Sequence, residues 1–139
     1  MLFRSLHEFR SRQELFRGDS FDAIVGYGPH GAIVYYSVTP ESNVRLEPRS
    51  MVLIDSGGQY LDGTTDITRT VMLGPLSETE KRIFTAVLRG HIDLARAVFP
   101  KGLNGANLDY LAHGPLWQMG LDYRHSTGHG VYSDRKSVV

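Results

Sequence analysis

Cysteine is absent from the chain, which excludes disulfide staples, thiolate metal sites and a thiol nucleophile. Any metal would have to be held by carboxylates and imidazoles. No apolar run approaches the ~20 residues that a membrane span needs. The opening Met1-Leu2-Phe3-Arg4-Ser5-Leu6-His7-Glu8 lacks the apolar centre of a secretory signal. An excess of charge is missing too: 15 Lys plus Arg stand against 15 Asp plus Glu, a formal net charge of zero. No basic face is therefore demanded, and neither nucleic acid nor an anionic membrane is an expected partner. A cytoplasmic protein is the expectation. What the chain does have is 139 residues with 41% hydrophobic and 22% charged side chains, enough for one globular domain that buries roughly two thirds of its unfolded surface.

Apolar residues Phe3, Leu6, Phe9 and Phe16 recur among Arg, Glu and Gln, which predicts a helix over 3–16 ended by Gly18-Asp19-Ser20. Two short β-prone runs, Ile24 to Tyr27 and Ala32 to Tyr36, are separated by the reversal signal Gly28-Pro29-His30-Gly31, and both read as strands. After the polar stretch from Thr39 to Ser50, Met51-Val52-Leu53-Ile54 and Ile67 to Leu73 read as a hairpin carrying Asp55 and Asp66 on its two arms, with Gly57-Gly58 and Asp62-Gly63 supplying turns. Ser77-Glu78-Thr79-Glu80 has the form of a capping box, and the spacing of Ile83, Val87, Leu94 and Val98 predicts a helix over 78–98 stopped by Pro100 and Gly102. A weaker helical stretch runs from Asn107 to Met119, interrupted by Gly114-Pro115, and the Gly- and His-rich segment from Arg124 to Val131 reads as loop or strand. Strands followed by helices, without regular alternation, indicate an α+β fold.

Two constellations carry chemical interest. The hairpin can bring Asp55 and Asp66 to one side of a sheet, where two carboxylates repel unless a cation or a shared proton neutralises them. Further on, His125-Ser126-Thr127-Gly128-His129-Gly130 flanks His129 with glycines that clear space around the imidazole. A helical H-E-x-x-H zinc site is excluded there, because Ser126 stands in the Glu position and the glycines disfavour a helix. Taken singly, each element has an ordinary explanation: Asp forms turns in Gly-rich hairpins, and His between glycines is a polar loop residue.

Together, Asp55-Ser56-Gly57, Asp66-Ile67-Thr68-Arg69-Thr70 and Thr127-Gly128-His129-Gly130 resemble the metallopeptidases of the pita-bread (creatinase/aminopeptidase) fold, and among them the cytosolic type of Xaa-Pro aminopeptidase. Ser20-Phe21-Asp22, Tyr27-Gly28-Pro29, Gly90-His91-Ile92 and Gly120-Leu121-Asp122-Tyr123 extend the likeness from about Phe9 to Val131. The resemblance implies a pita-bread catalytic domain over 1–133, incomplete at both ends. It makes Asp55 a ligand of one metal, Asp66 a bridge between two, His129 a ligand of the second, and His125 a substrate-facing histidine with a catalytic role. It implies two divalent ions, manganese before cobalt or zinc, a peptide substrate with proline in second position, and a homodimeric parent. Its rivals are a prolidase-type dipeptidase and a metal-free pita-bread binding module.

Three departures qualify what the resemblance implies. Tyr35 stands where the family carries a histidine, and is expected on a strand beside the metals. Two further glutamate ligands of the family match nothing here, so a fragment inactive on its own is expected. Residues 134–139, Asp134 to Val139, resemble nothing in the family and are expected to be a foreign, artefactual tail. His7, His30, His91 and His113 match no ligand position and are expected on the surface or on helix faces.

Overall fold

The computed structural model describes residues 2–131; the expected foreign tail, Asp134 to Val139, lies outside the described residues. The chain divides into two compact units, the first comprising Met1–Pro75 with the chain from Gly128 onward, the second Leu76–Thr127. Among the described residues no helix is long and apolar enough to cross a membrane.

The first unit opens with α1 (Leu2–Ser11), shorter than the expected helix to Phe16. Its last carbonyls are taken up locally: the Ser11 hydroxyl donates to Glu8 O at 2.9 Å and the Gln13 N–H to Arg10 O at 2.9 Å. Phe16 instead opens β1 (Phe16–Asp19), where its ring meets His7 and Tyr60 edge-on at centroid distances of 5.5 and 5.7 Å. Strand pairing and these ring contacts outweigh the helical period on which Phe16 also falls.

β2 (Ile24–Tyr27), β3 (Met51–Ser56) and β6 (Ile67–Met72) form an antiparallel sheet in the order β2-β3-β6. The expected hairpin is present, with Met51 opposite Met72 and Ser56 opposite Ile67. Between its arms the chain leaves the sheet at Gly57 and forms β4 (Gly58–Tyr60) and β5 (Gly63–Thr64), which join β1 in a second antiparallel sheet. Gly57 is required at this corner because a Cβ there would lie 1.9 Å from Thr65 O. Val52, 1% exposed, is the most deeply buried side chain of the first sheet, whereas β6 is exposed along its whole length.

No strand forms over Ala32 to Tyr36. A 3-10 turn spans Gly28–Ala32, the Tyr36 N–H donates to Ile33 O at 3.2 Å, and Tyr35 adopts a left-handed φ of 56°. The ring of Tyr36 stacks on His30 at 4.6 Å and its hydroxyl donates to Ser42 O at 3.1 Å. Those two contacts fold the β-branched run back on itself and deny it a strand partner.

In the second unit α2 (Glu78–Ala95) begins with the expected capping box. Ser77 Oγ accepts from the Glu80 N–H at 3.2 Å, and Glu80 Oε2 accepts from the Ser77 N–H at 2.7 Å. Ser77→Ala should cost about 1 kcal/mol, read as a lower urea midpoint of the chain with an unchanged slope. The helix stops at Ala95, short of Val98, which is 99% exposed. Pro100 drives Phe99 toward extended backbone, and the last turn tightens early as the Ala97 N–H donates to Leu94 O at 3.1 Å.

α3 (Gly105–Trp117) starts behind the N-cap Asn104 and runs through Gly114-Pro115 without the expected interruption. The α conformation is disfavoured before proline largely by a clash with the preceding Cβ, and Gly114 has none. The helix ends in a Schellman motif: the Leu121 N–H donates to Leu116 O and the Gly120 N–H to Trp117 O, both at 3.0 Å, with Gly120 at φ 69°. α2 and α3 cross through Ala86, Gly90 and Ala112, and a Cβ on Gly90 would stand 2.2 Å from Ala112 O.

Candidate metal centre

Asp55 is the penultimate residue of β3, paired across the hairpin with Thr68, and Asp66 lies in the link just before β6. The chain returns to this unit at Gly128, and His129 Nε2 comes within 3.5 Å of Asp66 Oδ2. The other ring nitrogen of His129 donates to Gly130 O at 2.8 Å. That bond fixes the tautomer and leaves the Nε2 lone pair facing Asp66 in the neutral ring, as second-shell bonds do for metal-ligating histidines.

Asp55 carries the clearest signal. Its Oδ1 is buried without a hydrogen-bond partner. Burial, and after it the neighbouring Asp66 carboxylate, pushes the Asp55 carboxyl above its ordinary value of 3.8, while the Thr68 hydroxyl and His129 act in the opposite direction. An orphaned carboxylate oxygen beside a second carboxylate and an imidazole is an electrostatic deficit that a divalent cation would fill. The three residues singled out in the sequence are thus neighbours. They do not form a finished cage: among the described residues no group of three His, Asp or Glu side chains could hold an ion.

Arg10, which nothing in the sequence marked, holds the corner beside Asp55. Its guanidinium donates to Ser56 Oγ at 3.0 Å, Ser56 O at 3.4 Å and Gly57 O at 3.5 Å, across the point where β3 gives way to β4. Tyr35, expected on a strand beside the metals, is instead 86% exposed on its turn. It borders a cavity of about 450 Å³ shared with Asp22, Tyr27 and His30, whose lining includes none of Asp55, Asp66 or His129.

His125 belongs to the second unit. Its ring is exposed, donates from Nδ1 to Ser126 O at 2.8 Å and stacks on Tyr123 at 4.7 Å. His113, expected as a surface or helix-face residue, is on a helix face but buried. Its ring nitrogens meet Asp122 at 2.7 Å and Asp109 at 3.3 Å. Hydrogen bonds from the Trp117 indole, at 2.9 Å, and from His113 hold the Asp122 carboxyl below its ordinary value. The i, i+4 series Asp109, His113, Trp117 along one face of α3 was visible in the sequence, but Asp122 and Tyr123 join it only through the Schellman turn.

The sequence profile of metallopeptidase family M24 matches residues 2–136. The chain belongs to that family. Among curated relatives, Aminopeptidase P1 of Lotus japonicus is 56% identical over 128 residues, which cover 92% of this chain and 20% of that protein. A solved X-prolyl aminopeptidase from Caenorhabditis elegans, a cytosolic enzyme with a di-nuclear active site, superposes with a TM-score of 0.85 at 44% identity, over 93% of this chain and 21% of the other. Xaa-Pro dipeptidase from Bacillus anthracis superposes with a TM-score of 0.83 at 28% identity, over 98% of this chain and 38% of the other. The α+β, pita-bread expectation therefore holds for this M24 chain, which spans about a fifth of the length of the curated relatives it matches.

Proposed function

We propose that these residues belong to a dinuclear-metal Xaa-Pro aminopeptidase, removing the first residue from peptides with proline in second position. The observation that carries the reading is the unpartnered, buried Asp55 Oδ1 beside Asp66 and His129, in a chain similar to enzymes with that name. Asp55 would hold one ion, Asp66 would bridge two and His129 would hold the second, while His125 would hydrogen-bond the substrate near the scissile bond. Divalent ions there would supply Lewis acidity and a water acidified toward neutral pH. Carboxylate oxygens with a single imidazole suit manganese, and cobalt or zinc would also bind. The metal-free binding module is disfavoured because the candidate ligands are retained. A cytoplasmic location accords with the cytosolic C. elegans neighbour, and a homodimeric working form is carried over from the family resemblance.

Two carboxylates and one imidazole offset little of the charge of two divalent ions, so this chain by itself should bind manganese weakly and hydrolyse peptides far below an enzymatic rate. The test grafts its matched 128 residues into the L. japonicus relative and assays Xaa-Pro-Xaa tripeptides and Xaa-Pro dipeptides with manganese supplied. The expected result is tripeptide hydrolysis that Asp66→Asn abolishes. Turnover of dipeptides alone would favour the prolidase reading. Activity that survives Asp66→Asn, or full activity from the 139-residue chain alone, would remove the assigned ligands from the mechanism.

A further inference from the structure

Resting on the reading of His125 as the substrate-facing histidine, we infer that Tyr123 is its positioning residue: a ring stacked both on His113 of α3 and on the His125 imidazole. His125 lies in a segment without helix or strand, and its ring is exposed. The polar contact of that ring is to the adjacent Ser126 carbonyl, a local bond that travels with the loop and cannot aim the imidazole relative to the fold. Aim has to come from Tyr123, whose ring lies 4.7 Å away at an interplanar angle of 28°.

Tyr123 is itself held from two directions. Its ring also stacks on His113 at 3.9 Å and 22°, and its hydroxyl shares a hydrogen bond of 2.7 Å with Thr127. Thr127 donates in turn to Asp109. Asp109 and His113 stand one turn apart on α3, and His113 is buried with a carboxylate at each ring nitrogen. The order of support thus runs from α3 through His113 to Tyr123 and ends on His125. The hydroxyl bridge through Thr127 to Asp109 anchors the far end of the Tyr123 side chain and keeps the ring from swinging about its Cα–Cβ bond. A group that must meet a substrate atom needs placement to within ~0.5 Å, which a loop attains only when its side chains are locked by packing and by a second shell of hydrogen bonds.

A merely structural role predicts loss of stability and nothing specific at His125, so the test reads His125 itself. In the 139-residue chain with isotope-labelled histidine, the His125 ring protons should be displaced upfield by the Tyr123 ring current and show a nuclear Overhauser effect to that ring. Tyr123→Leu should abolish both while the Ala86 and Ala112 methyl signals, where α2 meets α3, keep their folded positions. Tyr123→Phe, which keeps the stack and loses the hydroxyl, should retain the displacement with broadened lines. Should the Leu variant fail to fold, Thr127→Val is read in its place and should shrink the displacement. Wild-type His125 signals already at exposed-peptide positions, or signals unmoved in the variant read, would overturn the inference. In the grafted enzyme, Tyr123→Leu should lower kcat by ~10²-fold with KM little changed. If the ring is released in the spectra yet kcat is kept, Tyr123 still positions His125, and it is the catalytic reading of His125 that falls.

Discussion

Gly57→Ala should unsettle the corner from which both candidate carboxylates project, at a cost of about 1–3 kcal/mol or more. The added methyl would sit 1.9 Å from Thr65 O and 2.2 Å from Ser20 Oγ. The serine side chain can rotate away, but the carbonyl is backbone and is held on several sides. Thr65 O accepts from Ser20 Oγ at 2.8 Å, the Thr65 N–H donates to Gly58 O at 2.9 Å, and Thr65 Oγ1 accepts from the Gly58 N–H at 2.9 Å. Displacing Thr65 therefore drags Asp66, its neighbour, and strains the three bonds that Arg10 makes to Ser56 and Gly57 beside Asp55. Gly63→Ala is the control, since nothing lies within 4 Å of a Cβ at that position. Denaturant melts of the two variants should separate clearly, and manganese affinity should fall in Gly57→Ala alone. Equal stability would show that the corner yields more easily than its backbone contacts imply.

The parts of this fold that were legible in the sequence are those set by local chemistry. A capping box satisfies its own orphan N–H groups within four residues, so Ser77 and Glu80 announce the start of α2 unaided. The hairpin was legible because two apolar runs flank turn residues, and one register alone places Asp55 opposite Thr68. What escaped depends on partners distant in sequence. Ile33, Val34 and Tyr35 have strand propensity, yet among the described residues they join neither sheet, and His30 stacks on Tyr36 across the turn. Pro115 signalled a break, yet α3 runs on through it, Gly114 having no Cβ to clash with the proline ring. His113 was expected on the surface or on a helix face; the helix face is where it lies, and its burial escaped because it depends on Asp122 and Tyr123, brought back by the turn at Gly120. The ligand candidates sit between these cases. Family motifs named Asp55, Asp66 and His129, whereas Arg10, which holds the backbone next to Asp55, belongs to a helix and stands 46 residues before Ser56 in sequence.

Asp55→Asn should have opposite effects with and without metal. In a chelator, the ionised Asp55 carboxylate is a liability: it is partly buried, one oxygen has no partner, and Asp66 repels it. Its folded-state pKa lies above the ordinary 3.8, so the folded chain holds that proton to higher pH than the unfolded one. Stability from this group is then full below 3.8 and falls as pH rises from there through the elevated folded value. At neutral pH Asn should therefore melt higher than Asp, with an amide that can donate to Asp66 where a carboxylate only repels. The advantage should shrink on acidification through that window, as Asp55 in the wild type takes up its proton. Manganese should reverse the order. Binding at a hundredfold the dissociation constant adds about 2.7 kcal/mol to a folded state that holds the ion, and Asn, neutral and a poorer donor, should capture little of it. Thermal melts of both proteins in chelator and in manganese, at pH 7 and pH 5, give the four comparisons. A wild type already more stable than Asp55→Asn in chelator at pH 7 would mean that Asp55 is better satisfied than its orphaned oxygen implies. Equal manganese stabilisation of the two would mean that the ion does not bind at Asp55.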